Sequence, residues 1–514
     1  MAPVRRNTHQ HVMAIPQAIP VQASDTEPVK EFVEHDKELS DHNIEHIDRP
    51  RDIDHEAEHK IRVKVDFRLM PMLCVLLMVA YLDRTNIGNA RIQGLEADLG
   101  MTGTDYNIAL FVFFIPYIVL DVPLNILMKR LRPSLYLGTL CTSWGIVTVC
   151  QGVTQSYAGL IVCRVLLGCF EAGFLAGAIY MMAMYYTRYE LHTRMSLWYS
   201  AGTLCGAFGG LLAYAIAHMD GTSGYSAWRW IFIIEGAFTT GVGILTFFVL
   251  PDWPEQARFL KDDERAILIA KLSRDTGEYV ENKTTVEVLK ETFTDPKILF
   301  CATMYFGTSV TGAASSFFLP SILRQFGWTS IKAQYMSIPV WLVAWVLQIF
   351  NGFASDKVHR RWPFFFFPLC LSVIGYSLLL GQRNLALGVR YMATFFVVSG
   401  CWAALAMTMT WLNNNSVGKK RRGVASAAIL AIGNTGSIVG SFIFLAAEAP
   451  RYTTGYSVAL VTVILAQTAA TGYLFHAIHE NKAKARGARD HLLALPESEQ
   501  AELGSKHPSY RYTY

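Results

Sequence analysis

The sequence predicts an all-α integral membrane protein in which twelve helices form two six-helix bundles around a central cavity. Of its 514 residues, 52% are hydrophobic and only 17% are charged, which is too apolar for an ordinary soluble protein. Apolar runs of about 18 to 25 residues recur from Phe67 onward, each long enough to cross a ~30 Å hydrocarbon layer as a helix. A polar segment, 251–297, separates six runs from the other six, the organisation expected of two homologous halves joined by a linker.

The chain divides into twelve predicted spans and five larger segments, whose boundaries lie where polar residues follow or precede an apolar run. The predicted spans are 67–88, 107–128, 134–153, 157–180, 195–218, 229–250, 298–322, 333–354, 363–380, 389–411, 424–446 and 456–478. The segments are a disordered cytosolic N-terminal tail (1–62), a first six-helix bundle (63–250), a cytosolic linker (251–297), a second six-helix bundle (298–478) and a cytosolic C-terminal tail (479–514).

The N-terminal tail is acidic and contains several histidines. Thirteen acidic and five basic residues lie between Asp25 and Lys60, a composition typical of disorder. A His-rich tract can bind metal, but this one lacks Cys and a fixed spacing, so we predict a solvated tail without a metal site. The chain start has no apolar stretch, so we expect the first span itself to direct insertion.

Lys and Arg are divided unequally between the short loops. The loops after spans 2, 4, 8 and 10 carry Lys129, Arg130, Arg132, Arg188, Arg194, Lys357, Arg360, Arg361, Lys419, Lys420, Arg421 and Arg422. The loops on the opposite side carry Arg91, Arg324, Lys332, Arg383, Arg390 and Arg451. Because basic residues accumulate on the cytoplasmic side, we expect the first set and both termini to be cytosolic.

The fourth span contains two charges, Arg164 and Glu171. A central charge costs roughly 2.5 to 3.5 kcal/mol on insertion-based scales, so such residues usually face a cavity and have a function. Their seven-residue separation returns to within about 20° of the same helix face and places Glu171 about 10 Å further along the axis. Both could therefore line one cavity, and the alternative is a buried ion-pair network that only clamps neighbouring helices.

A second motif follows span 8 and reads GFASDKVHRR. Its residues Gly352, Asp356, Lys357, Arg360 and Arg361 form a G-x-x-x-D-[RK]-x-x-R-R pattern. Glycine lets two helices approach closely, the aspartate can accept from a helix terminus or an arginine, and the basic cluster faces the cytosol. The pattern resembles the loop signature of the major facilitator superfamily, with His359 in place of the usual second glycine. The loop after span 2 keeps the basic cluster but lacks the G-x-x-x-D core.

Further motifs resemble the anion:cation symporter family, particularly its fungal allantoate permease branch. They are YLDRTNIGNA from Tyr81, WRWIFIIEG from Trp228, GNTG from Gly433 and APRYTTGY from Ala449. The resemblance covers about residues 60–480 and implies the twelve-helix major facilitator fold. It also implies an alternating-access carrier of organic anions, commonly coupled to protons, in a fungal plasma membrane. Substrates in the branch include allantoate, ureidosuccinate, nicotinate, pantothenate and biotin.

The resemblance also assigns roles to individual residues. Arg84, Arg164 and Asn434 match substrate-binding positions, and Glu171 and Asp83 match carboxylates that we assign to proton coupling. We add Trp402 as a cavity-lining aromatic. Span 7 departs from the pattern, because branch members often have a tyrosine where this chain has Ala313, and the substrate's size or chemistry is expected to differ accordingly.

Helix geometry adds expectations about where these side chains point. Arg84 lies about 6 Å and Arg164 about 10 Å from the outer ends of their spans, which predicts a similar depth. The neighbours Asp83 and Arg84 cannot share a face, so at most one points into the cavity. Asn434 falls about 15 Å from the inner end of span 11, near the midplane where such folds bind substrate. An interhelical hydrogen bond is an equal alternative for Asn434.

The residue types suit anion transport. An arginine in a low-dielectric cavity holds a carboxylate with its planar fork and stays charged, and a nearby carboxylate can pick up and release a proton as access alternates. Glycines in spans 5 and 11 suit close helix packing better than ligand binding. They are Gly202, Gly206, Gly209, Gly210, Gly433, Gly436 and Gly440.

We therefore predict a secondary transporter of a small organic anion, such as nicotinate, pantothenate or allantoate, working by proton-coupled symport as a monomer. The alternatives are an exporter of an organic-acid metabolite and a non-transporting nutrient sensor of the same fold. An enzyme is disfavoured because the sequence lacks HExxH and GxSxG motifs and its histidines outside the N-terminal tail lie at span ends, in loops or in the C-terminal tail. We expect no cofactor, metal or nucleic-acid partner.

Overall fold

The computed structural model describes residues 55–276, 285–416, 419–496, 500 and 503–514. Within these ranges the chain is helical and contains no β-strand. Most of the predicted N-terminal tail, residues 1–54, lies outside the described residues.

The helices follow the predicted order. Those of the first half are α1 His55–Ala90, α2 Asp105–Met128, α3 Pro133–Val153, α4 Tyr157–Glu171, α5 Phe174–Tyr185, α6 Arg188–Ile216 and α7 Ala227–Val249. The predicted linker contains α8 Asp262–Thr276 and α9 Thr285–Thr294. Those of the second half are α10 Pro296–Gln325, α11 Ser330–Val358, α12 Trp362–Leu380, α13 Leu387–Asn414, α14 Lys419–Phe442 and α15 Thr453–Ala485.

Each predicted span coincides with one helix, except that α4 and α5 together form the fourth. In the described part of the chain, eleven of these crossings are long and apolar enough to span a membrane. The remaining one, α3, has 21 residues and no charged side chain, but several Gly, Ser and Thr residues and one Gln lower its hydropathy. It packs extensively along α7, so protein rather than lipid covers much of its less apolar surface.

The first helix is longer at both ends than hydropathy predicts. It begins at His55, so the predicted tail boundary at residue 62 is wrong and residues 55–62 extend α1. At its other end, helical turns continue through Arg91–Leu95 and Glu96–Asp98, about ten residues past the predicted end, with a kink at Gly94, where φ is +102°. Polar residues that end an apolar run do not end a helix when its backbone hydrogen bonds continue.

Glycines bring the two halves together. A Cβ at Gly206 of α6 would lie 2.2 Å from the Trp341 ring of α11, and one at Gly88 of α1 would lie 2.6 Å from the Phe317 carbonyl oxygen of α10. Within the second half, a Cβ at Gly436 of α14 would lie 2.5 Å from the Phe306 carbonyl oxygen. The predicted packing role of the span 5 and span 11 glycines is therefore confirmed.

The last described residues fold back onto the second half. The Asn415 amide donates to the Thr513 carbonyl oxygen at 2.9 Å, and the Thr513 backbone N–H donates to Asn415 Oδ1 at 2.9 Å. Asn481 and Tyr512 exchange a similar pair of bonds at 2.9 and 2.8 Å. This part of the predicted C-terminal tail is thus held by hydrogen bonds.

Candidate functional site

A buried ion pair joins the first and fourth crossings. Arg84 Nη2 of α1 donates to Glu171 Oε1 of α4, and the Glu171 side chain is 1% exposed. The Arg84 guanidinium also lies 4.8 Å from the ring centre of Tyr117 and 5.0 Å from that of Phe113. Aromatic faces stabilise a cation at this range, so the positive charge is held by both a carboxylate and π-systems.

Glu171 sits at a break in its crossing. It is the last residue of α4, and Gly173 has a φ of +74°, a left-handed conformation that favours glycine. A Cβ at Gly173 would also lie 2.6 Å from Tyr136 Oη and 2.7 Å from Leu124 Cβ. Broken helices in transporters occur where they line a cavity or binding site, so this break places Glu171 at a position suited to function.

Arg164 is buried but makes no ion pair among the described residues. Its side chain is 1% exposed, and Nε and Nη2 have no hydrogen-bond partner in the described part of the chain. The Phe232 ring centre of α7 lies 5.8 Å from the guanidinium. Leaving buried arginine N–H groups without a partner is costly, so Arg164 is an unusual feature of the fourth crossing.

Asp83 and Arg84 point in different directions, as adjacent helical residues must. Asp83 is fully buried and faces Thr239 of α7 and Trp144 of α3. The Thr239 hydroxyl and the Trp144 indole N–H are the donors that face its carboxylate, although neither meets strict hydrogen-bond geometry. Helix α1 therefore presents an arginine to α4 and an acid to α3 and α7.

Glu235 of α7 is a second buried acid beside Asp83. The Asn86 amide of α1 donates to Glu235 Oε2, while Glu235 Oε1 has no partner among the described residues. Glu235 is 1% exposed. Sequence reasoning placed it within a family motif but not in the site, although the cost of an acid in an apolar span would have identified it as it did Glu171.

A small cavity lies between the two halves. Its lining is Tyr81, Thr85, Asn89, Gly202, Cys205, Gly206, Gly209, Ser316, Pro320, Ser337, Trp341 and Trp402. The Trp402 ring centre is 5.9 Å from that of Tyr81 and 5.5 Å from that of Trp341, and its indole donates to Ser315 Oγ at 3.4 Å. The predicted cavity residue Trp402 lines this space, whereas Arg84, Arg164, Glu171 and Asn434 do not.

Polar contacts tie the two halves together at the predicted outer end. Ser330 Oγ donates to the Ile92 carbonyl oxygen at 2.7 Å, and the Gln93 amide donates to Gln334 Oε1 at 2.9 Å. Nearby, the Asn107 amide of α2 donates to the Ser441 carbonyl oxygen of α14 at 2.6 Å. These bonds would have to break for the cavity to open toward that end.

Comparison with known proteins identifies the family. The Major Facilitator Superfamily model matches residues 73–489, which is most of the chain. The chain belongs to the Major Facilitator Superfamily.

Relatives of this major facilitator are fungal transporters. It is 31% identical over 468 residues to the major facilitator-type transporter hxnP of Emericella nidulans, covering 90% of this chain and 94% of the relative. It is 33% identical over 474 residues to the MFS-type transporter cnsO of Penicillium expansum, covering 89% and 90%. The protein is therefore a membrane transporter and not an enzyme.

Solved structures share the same fold. A bacterial homologue of the human lysosomal transporter Spinster, inward-facing and unoccupied, matches with a TM-score of 0.61 and 16% identity, covering 79% of this chain and 96% of that chain. The xylose transporter XylE from E. coli, partially occluded and inward-open, matches with a TM-score of 0.58 and 12% identity, covering 78% and 96%. The predicted all-α major facilitator fold is confirmed.

The loop motif of this major facilitator forms a local polar cluster. Arg361 Nη1 donates to Asp356 Oδ1 at 2.6 Å and to Ser355 Oγ at 2.8 Å, as expected for an aspartate near an arginine. His359 has a φ of +57°, a left-handed conformation that explains why glycine is usual at this position. The close helix approach expected at Gly352 is wrong, because a Cβ there would meet no atom within 4 Å.

The predicted common depth of Arg84 and Arg164 is also wrong. Arg84 pairs with Glu171, which lies about 10 Å further along the fourth crossing than Arg164.

Asn434 lies half-buried on α14, next to Gly433, which packs against the Tyr305 ring. No hydrogen bond to Asn434 is found among the described residues. The interhelical bond considered as an alternative is therefore not observed within the described chain. Its role in binding substrate stays a prediction.

Proposed function

We propose that this major facilitator carries a small organic anion by proton-coupled symport. The observation that supports it best is the buried Arg164 guanidinium, whose Nε and Nη2 groups have no hydrogen-bond partner among the described residues. A planar fork of donors suits a carboxylate, and selection of anions follows from its permanent charge. A vitamin-like or nitrogenous carboxylate, such as nicotinate, pantothenate or allantoate, fits this chemistry. Export of an organic-acid metabolite would use the same groups in the reverse direction.

The ion pair suggests how a proton and an anion move together. While Glu171 is ionised, it occupies the Arg84 guanidinium. A proton on Glu171 removes its charge and weakens the pair, which leaves Arg84 free to bind a substrate carboxylate. Loss of the proton restores the pair and displaces the anion. Proton and substrate therefore bind and leave together, and alternating access gives symport.

The location is part of the proposal. Basic residues concentrate in the loops after spans 2, 4, 8 and 10, which supports cytosolic termini. We place the carrier in the plasma membrane, working as a monomer. Immunolabelling of epitope-tagged termini in intact and permeabilised cells tests the orientation.

The transport proposal is tested in proteoliposomes with a panel of small carboxylates, with and without an imposed pH gradient. The variant Glu171→Gln keeps the shape of the side chain but takes up no proton. We expect it to lose gradient-driven accumulation while retaining counterflow exchange, which also shows that it folds. The matched control is Glu255→Gln, an exposed carboxylate outside the spans, which should leave both assays unchanged.

Two results would contradict the proposal. Uptake restricted to neutral or cationic solutes would remove the organic-anion assignment. Unchanged gradient-driven accumulation in Glu171→Gln would remove Glu171 from proton coupling.

A further inference from the structure

The helical turns that continue α1 carry a second arginine, Arg91, on the same face as Arg84. The two are seven residues apart, so they lie within about 20° of each other around the helix and about 10 Å apart along it. Arg91 is 9% exposed, and its Nη1 has no hydrogen-bond partner among the described residues. Its Nε lies 2.8 Å from Glu96 Oε1. A buried N–H without an acceptor is costly, so one donor of Arg91 has no use in this arrangement of the two halves.

Aromatic rings from both halves cover the Arg91 guanidinium. It lies 4.1 Å from the ring centre of Tyr106 of α2 and 5.8 Å from that of Phe318 of α10. Ring faces at this range stabilise a cation. Because Tyr106 belongs to the first half and Phe318 to the second, Arg91 lies at the contact between the halves.

The backbone of α10 closes the helix face between the two arginines. Gly88 lies four residues after Arg84 and three before Arg91, which places it on the same face between them. A Cβ at Gly88 would lie 2.6 Å from the Phe317 carbonyl oxygen, and Tyr106 Oη donates to the same oxygen at 3.4 Å. Residues 317 and 318 therefore form a wedge that fills the space between Arg91 and Arg84.

Opening of the predicted outer end would remove this wedge. The wedge is part of α10 in the second half, whereas Arg84, Gly88 and Arg91 all belong to the first helix and its continuation. When the halves separate at this end, the three residues stay together and their helix face is uncovered. Two guanidiniums then lie along one face, and the glycine between them has no side chain that could obstruct an anion.

We propose that Arg91 is an entry site, which binds the substrate carboxylate first when the outer end is open and passes it over Gly88 to Arg84. The inference rests on the proposed transport of organic anions. A guanidinium holds a carboxylate with its planar fork, and a positive charge at the mouth of a cleft speeds the arrival of anions. As the outer end closes, the Phe318 ring returns to Arg91 and takes the place of the departing carboxylate against the cation.

An arginine that only latches the outer end shut would give the opposite effect on substitution. Loss of a contact made only in the closed arrangement shifts the carrier toward the outward-open one, which lowers the half-saturation concentration at the outer face. Loss of an entry site raises that concentration. It leaves the value at the inner face unchanged, because the wedge covers Arg91 while the inner end is open.

Equilibrium exchange of radiolabelled nicotinate, pantothenate and allantoate in proteoliposomes tests the entry site. An affinity tag at the C terminus separates the liposomes by carrier orientation, so that each face is measured in turn. Arg91→Gln should raise the half-saturation concentration at the outer face about tenfold, the size expected for loss of one charge-assisted hydrogen bond, and leave the inner face unchanged. Arg91→Lys keeps the charge but loses the planar fork, so its rise should be smaller. The matched control is Arg383→Gln, an exposed arginine between α12 and α13 on the same predicted side, which should change neither value.

The two faces separate the possible outcomes. An unchanged inner-face value shows that Arg91→Gln is folded and active. A lower or unchanged outer-face value in this variant would overturn the entry site, and so would an equal rise at both faces. If the wild type exchanges none of the three carboxylates, the proposed function fails and the entry site fails with it. If it exchanges one of them and Arg91→Gln behaves like Arg383→Gln, the entry site alone fails.

Discussion

The contact between α3 and α7 depends on glycines, and Gly236 gives its sharpest test. A Cβ at Gly236 would lie 2.6 Å from the Val149 backbone nitrogen and 2.9 Å from the Gly145 carbonyl oxygen. Ordinary contacts of this kind are about 3.5 Å or longer, so the two helices would have to separate by most of an ångström. Both partners are backbone atoms, so no side chain can rotate away.

Overpacking of this kind costs about 1 to 3 kcal/mol, and we expect Gly236→Ala to be destabilised by that amount. The matched control is Gly241→Ala on the same helix. It lies on an exposed face, where a Cβ would meet no atom within 4 Å. There the substitution should be neutral or stabilising by up to about 1 kcal/mol, because alanine is the better helix former.

The measurement is the midpoint of thermal unfolding of both variants in the same detergent, with the wild type alongside. Gly236→Ala should unfold at a lower temperature, and Gly241→Ala at the same temperature or higher. Equal midpoints for the two variants, or a lower midpoint for Gly241→Ala alone, would refute the packing argument. Transport should fall in Gly236→Ala as well, because the adjacent residue is Glu235.

Two further predictions concern groups outside the membrane core. Burial raises the pKa of Glu190, but the hydrogen bond that Lys271 donates at 2.6 Å outweighs burial, so the pKa is lowered. Because the pKa of Glu190 is lower in the folded than in the unfolded protein, its carboxylate stabilises the fold at pH values above the unfolded-state pKa. This stabilisation is lost as pH falls through the folded-state pKa. Between about pH 5 and 3, the unfolding midpoint of the wild type should therefore drop more steeply than that of Glu190→Gln. Asn415→Ala removes the two hydrogen bonds to Thr513 and should lower the free energy of unfolding by about 1 to 3 kcal/mol, measured in the same unfolding assay. The control Asn384→Ala, at an exposed position, should have no effect.

The helices and their order follow from the sequence alone, because lipid leaves a spanning segment only the helix to satisfy its backbone. The same local reasoning identified Arg164 and Glu171, since a charge inside an apolar run is costly wherever its neighbours lie. Glycine positions such as Gly206 were likewise predictable as packing sites. Each of these properties belongs to one segment of the chain.

The tertiary structure determines which charged side chains contact one another. Glu171 pairs with Arg84, Arg164 forms no ion pair within the described ranges, and Glu235 accepts from Asn86. These partners depend on the rotation and axial shift of one helix against another. Periodicity within a single span carries no information about that shift, so the sequence determined the parts of the site and the packing of whole helices determined its pairs.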